Sequence, residues 1–246
     1  MENFQTHWQW YRNFFAFHVL RLFIVWFALV PLLLRVLSDL PPEIPVELDD
    51  VSFVLHLSLP FNWIVLWIAS ICFAIAFAIY GVSCPGFIRK YPTFTEYKSY
   101  YHSPRWIAWE AELIAKHKLD LDKFIDRLAK KHYLEERQAG TLSRLNINNH
   151  KVIVEQNQSV LYFEHNGKEY SFAMPRVDSN GHESTALTEI AEREVFWEIF
   201  GRYSSSKPLI RWIVRALLVV AALLFIFTVL QHVISVPMEL LNDAAQ

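Results

Sequence analysis

The chain alternates long uncharged runs with segments in which polar and apolar residues mix. The clearest run, Phe61–Val82, contains no charged side chain. As a helix it would extend about 30 Å, which matches the thickness of bilayer hydrocarbon. Trp63 and Trp67 near one end and Tyr80 near the other suit the headgroup level, where amphipathic rings collect. The run therefore predicts a transmembrane helix, since the apolar core helix of a soluble protein would be shorter.

Two further segments predict membrane spans. Residues 17–37 are apolar apart from Arg21 and Arg35, whose long side chains can bend back to the nearest interface. Residues 216–236 follow the helix-start signal Ser204-Ser205-Ser206-Lys207-Pro208. Residues 1–16 are polar and aromatic, which predicts a short interfacial helix leading into the first span.

The charges between the spans predict one topology. The loop at 38–60 carries acids and prolines but no Lys or Arg, whereas basic residues flank the opposite ends of the spans. Because positively charged loops stay in the cytoplasm, we expect the amino terminus inside and the carboxyl terminus outside. The predicted location is the bacterial inner membrane, with residues 83–207 in the cytoplasm.

The segment 83–207 is expected to form one small domain that begins with two helices. Ser103-Pro104 predicts a helix start, and this helix should run to about Lys118. Asp120 is expected to cap the second helix. The expected buried positions are Trp106, Ile107, Trp109, Leu113 and Ile114 in the first helix, and Leu121, Phe124, Ile125 and Leu128 in the second.

The pattern then changes to the two-residue period of strands. Asn148-Asn149 and Asn166-Gly167 predict tight turns, and aromatic residues around the second turn predict cross-strand pairs. A last helix is expected over Ser184–Tyr203. The predicted strands are Leu142–Ile147, Lys151–Gln156, Ser159–His165 and Lys168–Met174.

Together these segments predict an α+β membrane protein with three transmembrane helices. A cytoplasmic domain of two helices, a small antiparallel meander and one helix is inserted between the second and third spans. The expected boundaries are 1–82 for the interfacial segment and the first two spans, 83–207 for the domain, and 208–246 for the third span and a short outside tail.

Composition agrees with a mixed architecture. Of the 246 residues, 53% are hydrophobic, which is too apolar for a purely soluble protein and too polar for a bundle made only of spans. The net charge of −2 gives no general attraction to nucleic acid, so we expect no direct nucleic-acid binding. Cys72 lies within the second span and Cys84 just beyond it, which does not suggest a disulfide framework.

No motif in the sequence indicates catalysis. HExxH, CxxC, GxSxG and phosphate-binding glycine loops do not occur in it. The histidines of segment 83–207 do not pair at ligand spacing on one helical face. We therefore expect no catalytic, cofactor-binding or metal-binding residue, and a protein that is not an enzyme. One alternative stays open, in which Cys84 or Ser103 acts as a nucleophile with a distant histidine.

Two stretches near the second span are candidates for a hinge or a partner contact. Pro85 and Gly86 break the membrane helix, and the basic and aromatic residues around Ser103-Pro104 suit the headgroup level. The simpler interpretation is an elbow followed by a helix start. The sharper one is a hinge that transmits movement of the domain to the spans. The candidate residues are Cys84, Pro85, His102, Ser103, Pro104, Arg105, Trp106 and Glu110.

A conduction path through the membrane would need polar side chains within the spans. The candidates are Arg21, Ser70, Thr228 and Gln231, although Arg21 is more simply explained by its reach to the interface. This lining is sparse. Conduction would therefore require a homo-oligomer, and the alternative is disruption of lipid packing.

Three short stretches within residues 59–110 resemble a known pattern. They are Leu59-Pro60-Phe61-Asn62-Trp63, Cys84-Pro85 with Phe87-Ile88, and His102-Ser103-Pro104-Arg105-Trp106 with Trp109-Glu110. The pattern resembles that of small bacterial membrane effectors of anti-phage abortive-infection loci, including retron systems. The resemblance implies a non-enzymatic effector that a cytoplasmic protein or nucleoprotein partner holds silent. On release, such an effector damages or permeabilises the inner membrane.

Two other functions fit the same features. A passive anchor, or an immunity or exclusion protein within an envelope complex, needs only spans and an electrically balanced domain. A membrane-bound enzyme acting on lipid or peptide would draw on His102, His117 and Asp120. Membrane lipid is a partner in each of these interpretations.

Overall fold

The computed structural model describes residues 7–17, 43–48, 51–56, 63–117, 119–147, 150–178 and 180–243. The chain divides into two compact units. The first, called here the domain, contains Pro85–Lys207 together with the chain up to Gln9. The second, called here the helical unit, contains Trp10–Cys84 and the chain from Pro208 onward.

The helical unit is built around two long helices that pack along each other. Helix α1 (Trp8–Ala16) is followed by strands β1 (Glu43–Leu48) and β2 (Val51–His56), then by α2 (Trp63–Ser83) and, at the end of the chain, α9 (Pro208–Asp243). The strands β1 and β2 form an antiparallel hairpin in which Leu48 pairs with Val51. The loop expected at 38–60 therefore contains a hairpin, and its β-branched residues explain the extended backbone.

The seam between α2 and α9 repeats at alternating steps of three and four residues. The buried apolar positions of α2 are Leu66, Ala69, Phe73, Ala76 and Tyr80. This spacing is that of a left-handed helix pair, and the alanines let the two backbones approach closely. The buried positions of α9 follow the same rule and are Arg211, Val214, Leu218, Ala221 and Thr228.

Two helices in the described part of the chain are long and apolar enough to cross a membrane, over Ile64–Ser83 and Pro208–Gln231. Most of their large apolar side chains, such as Ile68, Ile75 and Leu223, point away from the seam and are exposed. Exposed apolar faces of this length are typical of helices that contact lipid. The second and third predicted spans correspond to these helices. The first, at 17–37, lies outside the described residues beyond Phe17, so three crossings stay a prediction.

The domain combines helices with one four-stranded antiparallel sheet. Across the sheet the strands lie in the order Glu135–Arg137, Lys168–Met174, Gln158–His165 and Lys151–Glu155, which is β3-β6-β5-β4 in the numbering below. The mixed fold with a small antiparallel sheet is as predicted. In chain order the elements are α3 (Gly86–Lys90), α4 (Phe94–Ser99), α5 (Trp106–Lys116), α6 (Leu121–Lys130), β3 (Glu135–Arg137), α7 (Thr141–Arg144), β4 (Lys151–Glu155), β5 (Gln158–His165), β6 (Lys168–Met174) and α8 (Thr185–Ser205).

The hairpin of β5 and β6 turns where the sequence predicts. Asn166 and Gly167 have φ angles of 52° and 74°, and His165 pairs with Lys168 across this two-residue turn. Left-handed backbone at both positions is what a type I′ turn requires. Phe163 pairs with Tyr170, and their rings stack with centroids 5.8 Å apart, so this aromatic pair is confirmed. Tyr162 and Phe172, which were also expected to form cross-strand aromatic pairs, lie opposite Ser171 and Leu161 instead.

The predicted strand Leu142–Ile147 is wrong. Residues Thr141–Arg144 form the short helix α7. The Glu169 carboxylate accepts hydrogen bonds from the backbone N–H groups of Gly140 at 2.8 Å and Leu142 at 3.0 Å, and so satisfies the start of this helix. The edge of the sheet beside β6 is occupied instead by β3, which the sequence pattern did not indicate.

The helix predicted from Ser103 starts later, at Trp106, and the stretch before it is a turn in which the Trp106 N–H donates to Ser103 O at 2.8 Å. Ile107 and Ile114 are buried as predicted, between small alanines that allow close packing. The expected burial of Trp106, Trp109 and Leu113 is wrong. These three share one face of α5, and they are 42%, 43% and 40% exposed.

The start of α6 also differs from its predicted cap. Asp120 has a φ of 49° and its side chain makes no capping hydrogen bond. Its carboxylate accepts from Lys123 at 3.3 Å and from Arg202 at 2.7 Å. Phe124, Ile125 and Leu128 are buried as predicted, and Leu121 is half-buried.

Helix α8 is the centre of the domain and packs against α3, α4, α5 and α6. Ser184 caps it, accepting a hydrogen bond from the Leu187 N–H at 3.4 Å. Two buried carboxylates on α8 are paired with cations from neighbouring elements. Glu192 pairs with Lys98 of α4 at 3.0 Å, and Glu198 pairs with Arg127 of α6 at 3.4 Å and with Lys131 at 3.2 Å.

Candidate functional site: a cavity at the chain ends of the domain

The domain contains a cavity of about 720 Å³. This volume lies within the range of small-molecule and cofactor sites. Most of the wall is aromatic or aliphatic, with few charged groups. The lining residues are Pro85, Gly86, Phe87, Lys90, Tyr91, Trp106, Glu110, Leu113, His117, Leu119, Tyr203, Ser206 and Lys207.

The cavity lies where the chain enters and leaves the domain. Pro85 and Gly86 come directly after α2 in the sequence, and Ser206 and Lys207 come directly before α9. The rings of Phe87 on α3 and Tyr203 near the end of α8 stack with centroids 5.4 Å apart and an interplanar angle of 26°. The first and last helices of the domain therefore touch at one wall of the cavity.

An aromatic cluster holds this wall in place. Phe196, in the middle of α8, is fully buried, and its ring contacts those of Phe87 at 5.3 Å, Phe94 at 5.5 Å and Tyr97 at 5.3 Å between centroids. Aromatic pairs at these distances add to the burial of apolar area. The short helices α3 and α4 are thereby fixed on α8 although they are too short to be stable alone.

A polar pair crosses the cavity wall between α5 and α8. The Tyr203 hydroxyl donates a hydrogen bond to Oε2 of Glu110 at 3.3 Å. Burial raises the pKa of Glu110, and this effect outweighs the hydrogen bonds from Tyr203 and Trp106 and the charge of Lys90, all of which lower it. Burial, followed by the charge of Glu110, also raises the pKa of Tyr203, so the phenol keeps its proton and stays a donor.

His102 lies beside the cavity between two flat rings. It stacks on Trp106 with centroids 5.1 Å apart and on Tyr100 at 5.7 Å, and its Nε2 is 2.7 Å from the Tyr91 hydroxyl. Burial and then the positive charge of Lys90 lower the pKa of His102, which favours the neutral imidazole. The Lys90 ammonium sits over the Tyr91 and Tyr100 rings, 5.0 Å and 4.6 Å from their centroids.

The structure brings together part of the predicted hinge set. Pro85, Trp106 and Glu110 line the cavity, and His102 stacks on Trp106. Ser103 is exposed and Pro104 half-buried. Arg105 is directed elsewhere, because its Nη2 donates to the backbone oxygen of Asn157 at 2.6 Å. Cys84 is buried in the helical unit.

The prediction did not include Lys90, Tyr91, Leu113, Leu119 or Tyr203 among the site residues. Leu113 could have been found, because it follows Trp106 at the spacing of one helical face. Tyr203 carries no local signal, since it meets Glu110 across 93 positions of the chain.

Two of the four candidate path residues are hydrogen-bonded to their own helices. Ser70 Oγ donates to Leu66 O at 2.7 Å, and Thr228 Oγ1 donates to Leu224 O at 3.0 Å. Both residues are buried, and Gln231 is half-buried. Arg21 lies outside the described residues. The conduction role of this set stays a prediction.

The residues considered for catalysis have different surroundings. His117 lines the cavity, His102 is bonded to Tyr91, and Asp120 is paired with Arg202 and Lys123. Within the described ranges, no group of three or more His, Cys, Asp and Glu side chains could hold a metal ion.

Comparison of the chain with protein-family models, with curated proteins and with solved structures returns no match. The resemblance drawn from residues 59–110 therefore stays a prediction, and function has to be proposed from the geometry of the molecule.

Proposed function

We propose that this chain is a non-enzymatic effector of the bacterial inner membrane in anti-phage defence, held silent by a cytoplasmic protein or nucleoprotein partner. The observation that carries the proposal is the contact between the two chain ends of the domain. Phe87, just after α2, stacks on Tyr203, just before α9. A domain joined in this way to two apolar helices can control them from both ends.

The contact provides a physical route for control. α2 ends at Ser83, just before Pro85, and α9 begins at Pro208, just after Lys207. The distance between Pro85 and Lys207 therefore limits how far apart the connected ends of the two helices can lie. A partner that held or separated α3 and the end of α8 would change this distance. Helices are stiff, so a small change at their ends becomes a tilt or a separation over their length.

The proposed lesion does not need a lined pore within one copy. The hydroxyls of Ser70 and Thr228 are already bonded to their own helices. Large apolar side chains, including Ile71, Phe77 and Phe227, are exposed on α2 and α9. We propose that released copies associate through such faces and permeabilise the bilayer together or disturb its packing.

The proposed orientation places the domain in the cytoplasm, with the amino terminus inside and the carboxyl terminus outside. Its support is the charge of the flanks: Arg89 and Lys90 follow α2, and Lys207 precedes α9. A reporter inserted in the exposed loop at His182 tests it. A cytoplasmic reporter should be active there, and an active periplasmic phosphatase at the same position would contradict the orientation.

The function is tested by inducing the chain alone in a bacterial host and following membrane potential with a voltage-sensitive dye. We expect the potential to collapse before viability falls. Leu223→Lys places a charge in the apolar middle of α9 and should abolish the effect, because a charge at that depth costs about 3 kcal/mol. Leu209→Lys is the matched control: Leu209 is also exposed but lies at the start of the helix, where Lys is tolerated.

Harmless expression of the wild-type chain, with normal amounts in the membrane, would contradict the proposal. That result, together with recovery of one dominant membrane partner, would favour a passive anchor or immunity protein.

A further inference from the structure

We infer that the cavity of the domain binds a membrane phospholipid that has an anionic headgroup. An acyl chain of this lipid would lie against the aromatic and leucine side chains of the wall. This inference rests on one part of the proposed function, the membrane location, and does not depend on the proposed toxicity.

The wall has the character of an acyl-chain site. Phe87, Trp106, Leu113 and Leu119 present apolar surface to a space of about 720 Å³. Trp106 and Leu113 line this space and yet remain about two-fifths exposed, at 42% and 40%. Large apolar side chains left open around a cavity mark a surface that an apolar ligand would cover.

The charges favour an anionic headgroup. Lys90 and Lys207 both line the cavity and both are exposed. The lining contains one carboxylate within the described residues, Glu110, which is half-buried and already bonded to Tyr203. The two lysines, of which Lys90 also lies over the Tyr91 and Tyr100 rings, give the lining more positive than negative charge. This excess suits a phosphate, and a zwitterionic headgroup would gain less.

The position along the chain favours a lipid of the bilayer as the source. Pro85 and Gly86 follow α2 directly, and Ser206 and Lys207 precede α9 directly. The ends of membrane-spanning helices lie at the headgroup level, where phosphates are concentrated. A phospholipid is therefore the anionic amphiphile with the shortest way to this cavity, whereas a free fatty acid is a scarce alternative.

The test is photo-crosslinking of the full chain in nanodiscs of neutral phosphatidylcholine. A small fraction of photoactivatable phosphatidylglycerol is added in one sample and photoactivatable phosphatidylcholine in another, and labelled peptides are mapped by mass spectrometry. Peptides of 85–119 should be labelled about five-fold more strongly by the anionic probe, a preference of about 1 kcal/mol. Labelling of α2 and α9, which contact lipid in either case, should be similar with both probes.

Three variants sharpen the test. Leu113→Trp fills the cavity and should reduce labelling of 85–119 about ten-fold, without changing labelling of α2 and α9. Leu187→Trp is the matched control on a helix surface, since Leu187 is 50% exposed and does not line the cavity, and it should behave as wild type. Lys90→Gln removes one of the two lysine charges of the lining, together with its contacts to the Tyr91 and Tyr100 rings, and should weaken the preference for the anionic probe.

Equal labelling of 85–119 by both probes in the wild type would overturn the inference, as would equal labelling of wild type and Leu113→Trp. Labelling by a photoactivatable fatty acid but not by the phospholipid would overturn the assigned source. Loss of labelling on α2 and α9 as well would overturn the membrane location itself. A chain that binds the anionic lipid but is harmless on expression would contradict the effector function and leave the lipid site supported.

Discussion

Tyr203 Oη and Glu110 Oε2 are 3.3 Å apart and join the last helix of the domain to α5. The two residues lie at the wall of the cavity, and burial raises the pKa of both. Ionisation of the Glu110 carboxyl costs the folded protein free energy, because the group has lost much of its water on burial. The hydrogen bond from the Tyr203 phenol offsets only part of this cost.

This cost predicts how stability depends on pH. Because the pKa of Glu110 is raised in the folded state, the folded protein binds the proton more tightly than the unfolded chain. The contribution of Glu110 to stability therefore falls as pH rises from its pKa in the unfolded chain, about 4.3, through its higher pKa in the folded protein. Glu110→Gln keeps an acceptor for Tyr203 without the charge. Near pH 8 it should be at least as stable as wild type, measured by thermal unfolding in neutral detergent.

The partner variant should change stability in the opposite direction. Tyr203→Phe removes a hydrogen bond that favours the ionised Glu110, so the loss of stability with rising pH should become steeper than in wild type. A Glu110→Gln protein that melts below wild type near pH 8 would contradict this account of the pair.

Breaking the ion pair between Lys98 and the buried carboxylate of Glu192 should cost more stability than breaking an exposed ion pair. Glu192 is fully buried and Lys98 is half-exposed, and their atoms are 3.0 Å apart. Lys98→Met leaves a buried charge without its cation and should cost about 2 kcal/mol, less than for a fully buried pair because water reaches Lys98. The control is Lys123→Met, which breaks an exposed pair with Asp120 and should cost less than about 1 kcal/mol.

Both values are measured by urea unfolding of the full chain in detergent. Equal costs for the two variants would show that burial of Glu192 is unimportant.

The contact between Phe87 and Tyr203 predicts a functional difference between two similar substitutions. Phe87→Ala removes the ring that joins the chain ends of the domain, whereas Phe94→Ala removes a ring from the same aromatic cluster away from those ends. Each should cost up to about 3 kcal/mol of stability. The amount of inducer needed to collapse the membrane potential should rise only for Phe87→Ala, compared at equal protein in the membrane. Equal responses would remove the contact from the proposed mechanism.

Replacement by alanine should change the stability of the protein in opposite directions at two glycines. Gly167 has a φ of 74° in the β5–β6 turn, where a side chain strains the backbone, so Gly167→Ala should destabilise by about 1 kcal/mol. Gly201 lies within α8 with no atom within 4 Å of an added Cβ, so Gly201→Ala should stabilise by about 0.5 to 1 kcal/mol. Unfolding curves of both variants test the pair directly, and a shift in the same direction would contradict it.

The sequence correctly predicted the elements whose structure depends on residues close together along the chain. The turn at Asn166-Gly167 and the pairing of Phe163 with Tyr170 follow from two adjacent residues and the strand period, and both are confirmed. The strand at Leu142–Ile147 failed because Glu169, which is distant in sequence, supplies the hydrogen bonds that begin a helix there.

The candidate site was predicted only in part for the same reason. Pro85, Trp106 and Glu110 could be selected from the sequence because a helix break and a stretch of basic and aromatic residues are local signals. Tyr203 and Lys207 come to the cavity from the other end of the domain, and this meeting depends on the packing of α8 against α3. Hydrophobicity alone also placed Trp109 inside, whereas the small alanines of α5 turned out to form its packed face.

The two outer strands of the sheet are built in a way that limits pairing between separate copies of the domain. β3 is only three residues long and carries Glu135, Glu136 and Arg137, all exposed, and β4 begins with Lys151 and ends with Glu155. Short, charged borders discourage strands of separate molecules from joining. Separate copies of the domain are therefore poorly suited to extend one another's sheets into insoluble fibres.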